Sequence, residues 1–224
     1  MSTYTMQLAE WLGKHANSEN ARSMEAYMRN QFPFLGLKTP ERAQLTREFW
    51  KEHGLPKGDL LLQTVSELWE MPEREYQYIA MVLLDKHRKQ AERSHIEVLE
   101  RLVVTKSWWD TVDIIAGQLI GFYLSKYPEL LVDYPDRWIH SDNMWLRRTA
   151  ILYQLKYKES TDTERLFHYI VLQKEESEFF IRKAIGWALR EYAKTEPDVV
   201  RRFVNETPLS SLSIREALKH IGKE

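Results

Sequence analysis

Residues 106–113 read Lys-Ser-Trp-Trp-Asp-Thr-Val-Asp and open a long apolar stretch. If a helix starts near Ser107, Trp109 and Asp113 stand four residues apart and share one face. Gly117 continues that row one turn later. A carboxylate offers a fixed negative charge, and an indole offers a π face that attracts cations. A mid-helix glycine costs about 1 kcal/mol relative to alanine, so its presence points to a close approach. Such a row is either a site or plain helix packing, and the remainder of the chain has to decide.

The elements that position this row are helices throughout. The chain has eight Gly and eight Pro, and no run alternates as a strand would. Several prolines mark helix starts. Thr39-Pro40-Glu41-Arg42 sets a capping threonine before a first-turn proline and a glutamate, and Pro72, Pro128 and Pro197 have similar contexts. Periodicity and caps predict helices at 3–16, 19–31, 40–53, 58–70, 73–89, 93–104, 107–126, 129–139, 142–157, 162–174, 178–194, 197–205 and 211–221. The short connections contain no linker, so residues 1–224 are expected to form a single domain.

Four segments superpose: EYQYIA from Glu75, DTVDII from Asp110, WLRRTA from Trp145 and FIRKAI from Phe180, each 35 residues after the last. Each begins a helix that a shorter helix follows. A constant period of this size with two helices per unit predicts an all-α fold, an α-solenoid of HEAT-like repeats. Tyr78, Asp113, Arg148 and Lys183 share a register, and because equivalent positions in a solenoid stack, Asp113, Arg148 and Lys183 are expected to line one face, most naturally the concave one.

That face is predicted to be basic and aromatic. Over 178–194, Ile181, Ala184, Ile185, Ala188 and Tyr192 form the apolar stripe, with Lys183, Trp187, Arg190 and Lys194 opposite. Over 142–157, Leu146, Ala150 and Tyr153 point inward and Arg148 opposite, with Arg147, Lys156 and Lys158 flanking. Cations interleaved with aromatics suit a nucleic-acid backbone. The plainer readings are a solvated Arg148 and Lys183, a first-turn Asp110 favoured by the helix dipole, and a Trp108 buried beside Val112, Ala116 and Leu119. Asp113, past the first turn and among apolar residues, has less structural excuse.

Composition narrows the chemistry. Without cysteine there is no disulfide, zinc-thiolate site or thiol nucleophile, and the seven histidines show no metal-ligand spacing. No metal and no cofactor is expected. Apolar residues make up 43% of the chain and charged residues 29%, which suits a soluble packed domain. No signal sequence and no bilayer-length apolar run is present, so a cytoplasmic protein is expected, without a membrane partner. The net charge of −1 argues against indiscriminate nucleic-acid binding while leaving room for a local basic face.

VVTKSWWDTVD at 103–113, DNMWLRRTAILYQLKYK at 142–158 and EFFIRKAIGWALREYAKTEPDVV at 178–200 resemble the AlkD-type DNA alkylation repair glycosylases. FLGLKTPER at 34–42 and LWEMPEREYQ at 68–77 extend the likeness over nearly the whole chain. The resemblance implies HEAT-like helical pairs curved around duplex DNA. It also implies hydrolysis of the glycosidic bond of cationic N3- and N7-alkylated purines without a base-flipping pocket. By this resemblance Asp113 is the catalytic carboxylate, Trp109 and Trp187 pack against the deoxyribose, and Arg148 faces the backbone at the lesion. Thr39, Lys106, Ser107, Arg148, Lys156, Lys183 and Arg190 are the DNA-contacting set. Lys38 departs from the neutral polar residue expected there. The implied partner is double-stranded DNA carrying alkylated purines, bound by a monomer associated with the nucleoid. The alternative is a non-catalytic HEAT-like scaffold that binds DNA or protein; it would have no use for Trp109, Asp113, Arg148 and Trp187 together.

Overall fold

A computed structural model describes residues 1–220, which contain helices and turns and no strand. Residue 221, the expected end of the last helix, lies outside the described residues. The chain divides into two compact units, Met1–Lys89 and the residues from Gln90 onward.

The first unit holds α1 (Thr3–Gly13), α2 (Ser18–Tyr27), α3 (Thr39–His53), α4 (Gly58–Glu70) and α5 (Arg74–His87). Two carboxylates organise it. Glu67 on α4 accepts from the Ser2 amide at 2.7 Å, the Ser2 hydroxyl at 2.8 Å and the Thr5 hydroxyl at 2.6 Å, tying α4 to the start of α1. Burial pushes this carboxyl up, but the hydrogen bonds from Thr5, Ser2 and Gln63 outweigh it and bring it down to about 2. Glu75, fully buried on α5, accepts the backbone N–H groups of Leu35, Gly36 and Leu37 at 2.9–3.0 Å. This fixes the segment that leads into α3. The segment needs glycine at position 36, where φ is +89° and a Cβ would sit 2.0 Å from the Asn17 carbonyl oxygen.

Two expectations change here. Thr39 is not the cap of α3: Lys38 is, without a side-chain bond, and Thr39 is the first helical residue, exposed. The helix expected over 19–31 stops at Tyr27, because Arg29 and Asn30 turn to positive φ and end it.

The second unit holds α6 (His95–Val104), α7 (Trp109–Ile114), α8 (Gly121–Lys126), α9 (Pro135–Trp138), α10 (Met144–Leu152), α11 (Thr163–Gln173), α12 (Phe179–Tyr192), α13 (Pro197–Glu206) and α14 (Ser211–Ala217). The helices α5, α7, α10 and α12 begin at residues 74, 109, 144 and 179, the 35-residue step of the sequence repeat. Within this unit α7, α10, α12 and α14 pack in succession, while α11 packs on α10 and α13 on α12. One layer of stacked helices with a second layer behind it is the arrangement of an α-solenoid.

The long helix expected over 107–126 is a compound one. Between α7 and α8 the chain makes a π-helical turn, Ile115–Ile120, in which the Gly121 amide reaches back five residues to the Ala116 carbonyl. The expected 129–139 helix shrinks to α9. Pro135 has no N–H to carry the helical ladder, and the Asp136 amide takes the Leu131 carbonyl instead, at 3.0 Å. Among the described residues no helix is long and apolar enough to cross a membrane.

Candidate active site

Each helix of the front layer contributes to one cleft of about 270 Å³: α7 gives Trp109 and Asp113, α10 gives Arg148, α12 gives Phe179, Phe180, Lys183, Trp187 and Arg190, and α14 gives Glu216. The register shared by Asp113, Arg148 and Lys183 thus becomes a shared surface. Ordinary ligand pockets hold roughly 300–1,000 Å³, so this cleft is on the small side.

Asp113 sits one turn into α7, its side chain 14% exposed. The Arg148 Nε donates to Oδ1 at 2.7 Å and Nη2 donates to Oδ2 at 2.9 Å, a two-pronged grip that fixes the carboxylate plane. Arg148 Nη1 donates to the carbonyl of Phe180, so α12 holds the guanidinium from the other side. Burial pushes the Asp113 carboxyl up, Arg148 pulls it back, and the neighbouring Asp110 adds to the rise; the net direction is upward.

Arg148 is therefore no solvated cation. It is buried, with 4% exposure, and three of its bonds go to Asp113 and Phe180. Its position opposite Leu146 and Tyr153 points it into the stack between α7 and α12 rather than out to solvent.

Trp109 and Trp187 are both half-buried at the cleft. Trp108 departs from its expected core place. It precedes α7 in extended geometry and packs half-buried against Trp145 and Phe180, with ring centroids 5.9 and 5.3 Å away. Asp110 is buried in the first turn of α7. Gly117 is not a bare patch facing a ligand: a Cβ there would meet Leu155 Cδ1 at 3.2 Å, so the close neighbour is the protein's own turn after α10.

The cations of α12 are not an open basic face. Glu216 Oε1 lies 3.0 Å from Lys183 Nζ, and Oε2 lies 2.7 Å from Arg190 Nη1. Lys183 and Arg190 hold this carboxyl below its usual range. Glu216 reaches them because Gly186 lets α14 come close; a Cβ at 186 would lie 2.5 Å from the Glu216 Cβ and 2.9 Å from the Ser213 carbonyl oxygen. Asp113 is thus not the sole carboxylate of the cleft.

A sequence model of the DNA alkylation repair enzyme family matches residues 8–221. The chain belongs to this family. A solved structure described as a predicted DNA alkylation repair enzyme from Enterococcus faecalis is 34% identical. The match covers 93% of this chain and 98% of that one, with a TM-score of 0.86. No curated protein matches.

For a member of the DNA alkylation repair enzyme family, the outlying predicted contacts are arranged unevenly. Lys183 and Arg190 line the cleft; Lys156, Lys106 and Ser107 do not. Lys156 is exposed in the turn after α10, which ends at Leu152 rather than at 157. Lys106 takes a positive φ of 49°, and Ser107 donates to the Val103 carbonyl at 2.6 Å. Thr39 belongs to the first unit. Among the described residues no cluster of three His, Asp or Glu is placed to hold a metal. Sequence reasoning missed Glu216, Phe179 and Phe180. The phenylalanines open the α12 repeat and were readable as its hydrophobic start. Glu216 had no signal of its own, because the 35-residue step taken from Lys183 lands on Leu218 instead.

Proposed function

We propose that this chain is a monofunctional DNA glycosylase of base excision repair. It hydrolyses the N-glycosidic bond of cationic N3- and N7-alkylated purines in duplex DNA, as a monomer on a HEAT-like framework and without a cofactor. The observation that carries this reading is the Asp113 carboxylate, held in plane by Arg148 at a cleft that also presents Trp109 and Trp187.

Glycosidic hydrolysis passes through an oxocarbenium-like sugar. An oriented carboxylate stabilises that charge and aligns the attacking water, and it acts most strongly where burial has removed competing solvent. Indole faces beside the sugar add cation–π attraction that grows as charge develops, so they favour the transition state over the ground state. A base that is already cationic departs as a neutral molecule and needs no proton. Glu216 supplies none, because Lys183 and Arg190 keep it ionised. Lys183, Arg190, Lys106, Ser107, Lys156 and Thr39 are assigned to the DNA backbone.

The test is release of 7-methylguanine from methylated duplex DNA by the wild-type chain and by Asp113→Asn. Asparagine keeps the size and loses the charge, so excision falls by about 2.7–4 kcal/mol in barrier, the cost of losing one such electrostatic contact. Near wild-type release by an Asp113→Asn variant with an intact melting transition would remove Asp113 from the chemistry.

A further inference from the structure

Among the described residues, the cleft carries three cations, Arg148, Lys183 and Arg190, and two carboxylates, Asp113 and Glu216. Arg148 is taken up by Asp113. The remaining three groups form a second system on α12 and α14, and its geometry is that of a built charge pair. Glu216 is 15% exposed and gives one oxygen to each cation, at 3.0 and 2.7 Å. Lys183 and Arg190, at 37% and 20% exposure, still open onto the cleft. Gly186 stands where α14 comes against α12 beside this contact: a Cβ there would lie 2.5 Å from the Glu216 Cβ. A glycine in the middle of α12 costs helix stability relative to alanine, so the close approach is sustained against a local penalty.

We propose that Glu216 is a built-in counterion that holds Lys183 and Arg190 back from DNA, so that a backbone phosphate has to displace it. Glu216 thereby limits the hold on undamaged duplex. The proposal rests on the reading that this cleft takes DNA, not on the chemistry at Asp113. With Glu216 in place the three groups sum to one positive charge; without its charge they sum to two. Each phosphate neutralised by a protein cation steepens the dependence of log affinity on log salt by about 0.9. A chain with a net charge of −1 depends on such local balances for any grip on a polyanion. Displacement is feasible because the competing phosphate offers the same two cations a charge-assisted acceptor of its own.

The experiment measures binding to an undamaged duplex by fluorescence anisotropy across a salt series, for wild type, Glu216→Gln, Glu216→Asp and Glu216→Gln combined with Lys183→Ala, with melting curves for each. Glutamine preserves the side-chain length and the packing of the stem against Gly186. Glu216→Gln is expected to bind more tightly, and its ratio of affinities between roughly 50 and 200 mM salt grows by about 3.5-fold, because a displaced Glu216 carboxylate takes back about one of the cations that the phosphates release. Adding Lys183→Ala cancels that gain. Glu216→Asp keeps the charge and gains less than Glu216→Gln. An unchanged or shallower slope in Glu216→Gln overturns the proposal, the shallower one because Glu216 would then be orienting the cations toward phosphate. Equal gains in the Asp and Gln variants also overturn it, since a disturbed α14 would explain both. Failure of the wild-type chain to bind duplex at any salt sinks this proposal together with the DNA reading. Binding with an unaltered slope sinks this proposal alone.

Discussion

Asp113 owes its properties to two opposed neighbours: a desolvating wall that disfavours its charge and a guanidinium that favours it. The net upward direction has a consequence for activity. The reaction proposed for this site uses the ionised carboxylate, so excision fails on the acid side as Asp113 takes up a proton. With the folded pKa raised, that acid limb lies above the ordinary aspartate value of about 3.9. Arg148 opposes the rise, so removing it moves the limb further up. Arg148→Met is expected to give the larger displacement. Arg148→Lys, which keeps a charge but cannot span both oxygens, gives a smaller one. Single-turnover excision rates against pH measure this directly. If the acid limb stays put in both variants, Arg148 does not govern the protonation of Asp113. Breaking a buried pair of this kind also costs stability, up to about 3–5 kcal/mol, so melting is followed alongside.

At the scale of elements, the sequence period carried far and then stopped. The 35-residue step located the starts of α5, α7, α10 and α12 to within one residue, because each start repeats the same apolar pattern. It also brought Asp113, Arg148 and Lys183 to one surface. What the period did not contain is what the structure adds. The π turn at Ile115–Ile120 lies where Gly117 and Gly121 meet the residues after α10, a tertiary neighbourhood without a local signature. Glu216 comes from α14, outside the step. Arg148 was legible as a residue in register with Asp113 but not as a buried one, since its partner Asp113 lies 35 residues away. Gly117 and Gly121 look alike in sequence and differ in space. A Cβ at 121 would stand 2.3 Å from the Tyr153 carbonyl oxygen, which is backbone and cannot step aside. At 117 the nearest atom is the end of the Leu155 side chain, 3.2 Å away. Gly121→Ala is therefore expected to destabilise by about 1–3 kcal/mol, the usual cost of overpacking. Gly117→Ala is expected to fall within about 1 kcal/mol of wild type, because the gain in helix propensity offsets a small rotamer shift. Urea unfolding separates them. Equal costs would mean that the π turn, not the contact at 121, demands glycine.

For the whole molecule the decisive property is which charges it can and cannot bring to a leaving base. Among the described residues, the groups lining the cleft are two carboxylates, three cations and four aromatic rings, with no histidine among them. Of the two carboxylates, Asp113 is needed ionised in the proposed reaction, and Glu216 is kept ionised by Lys183 and Arg190. Neither is a proton donor for a departing base. A cleft of about 270 Å³ lined mainly by rings and paired charges also has little to read a base edge with. Under the proposed function such a site accelerates departure of a base that already leaves well, and it cannot rescue one that leaves badly. Cationic 3-methyladenine and 7-methylguanine are therefore expected to be excised, and neutral uracil to be left in place. Because discrimination rests on charge and not on enclosure, a bulky cationic adduct should also be released, at a rate nearer to 7-methylguanine than to uracil. Matched duplexes carrying each lesion, followed under single-turnover conditions, give the three rates. Comparable rates on uracil and 7-methylguanine would require a proton donor in the cleft, and the ionised state of Glu216 would be the first assignment to fall.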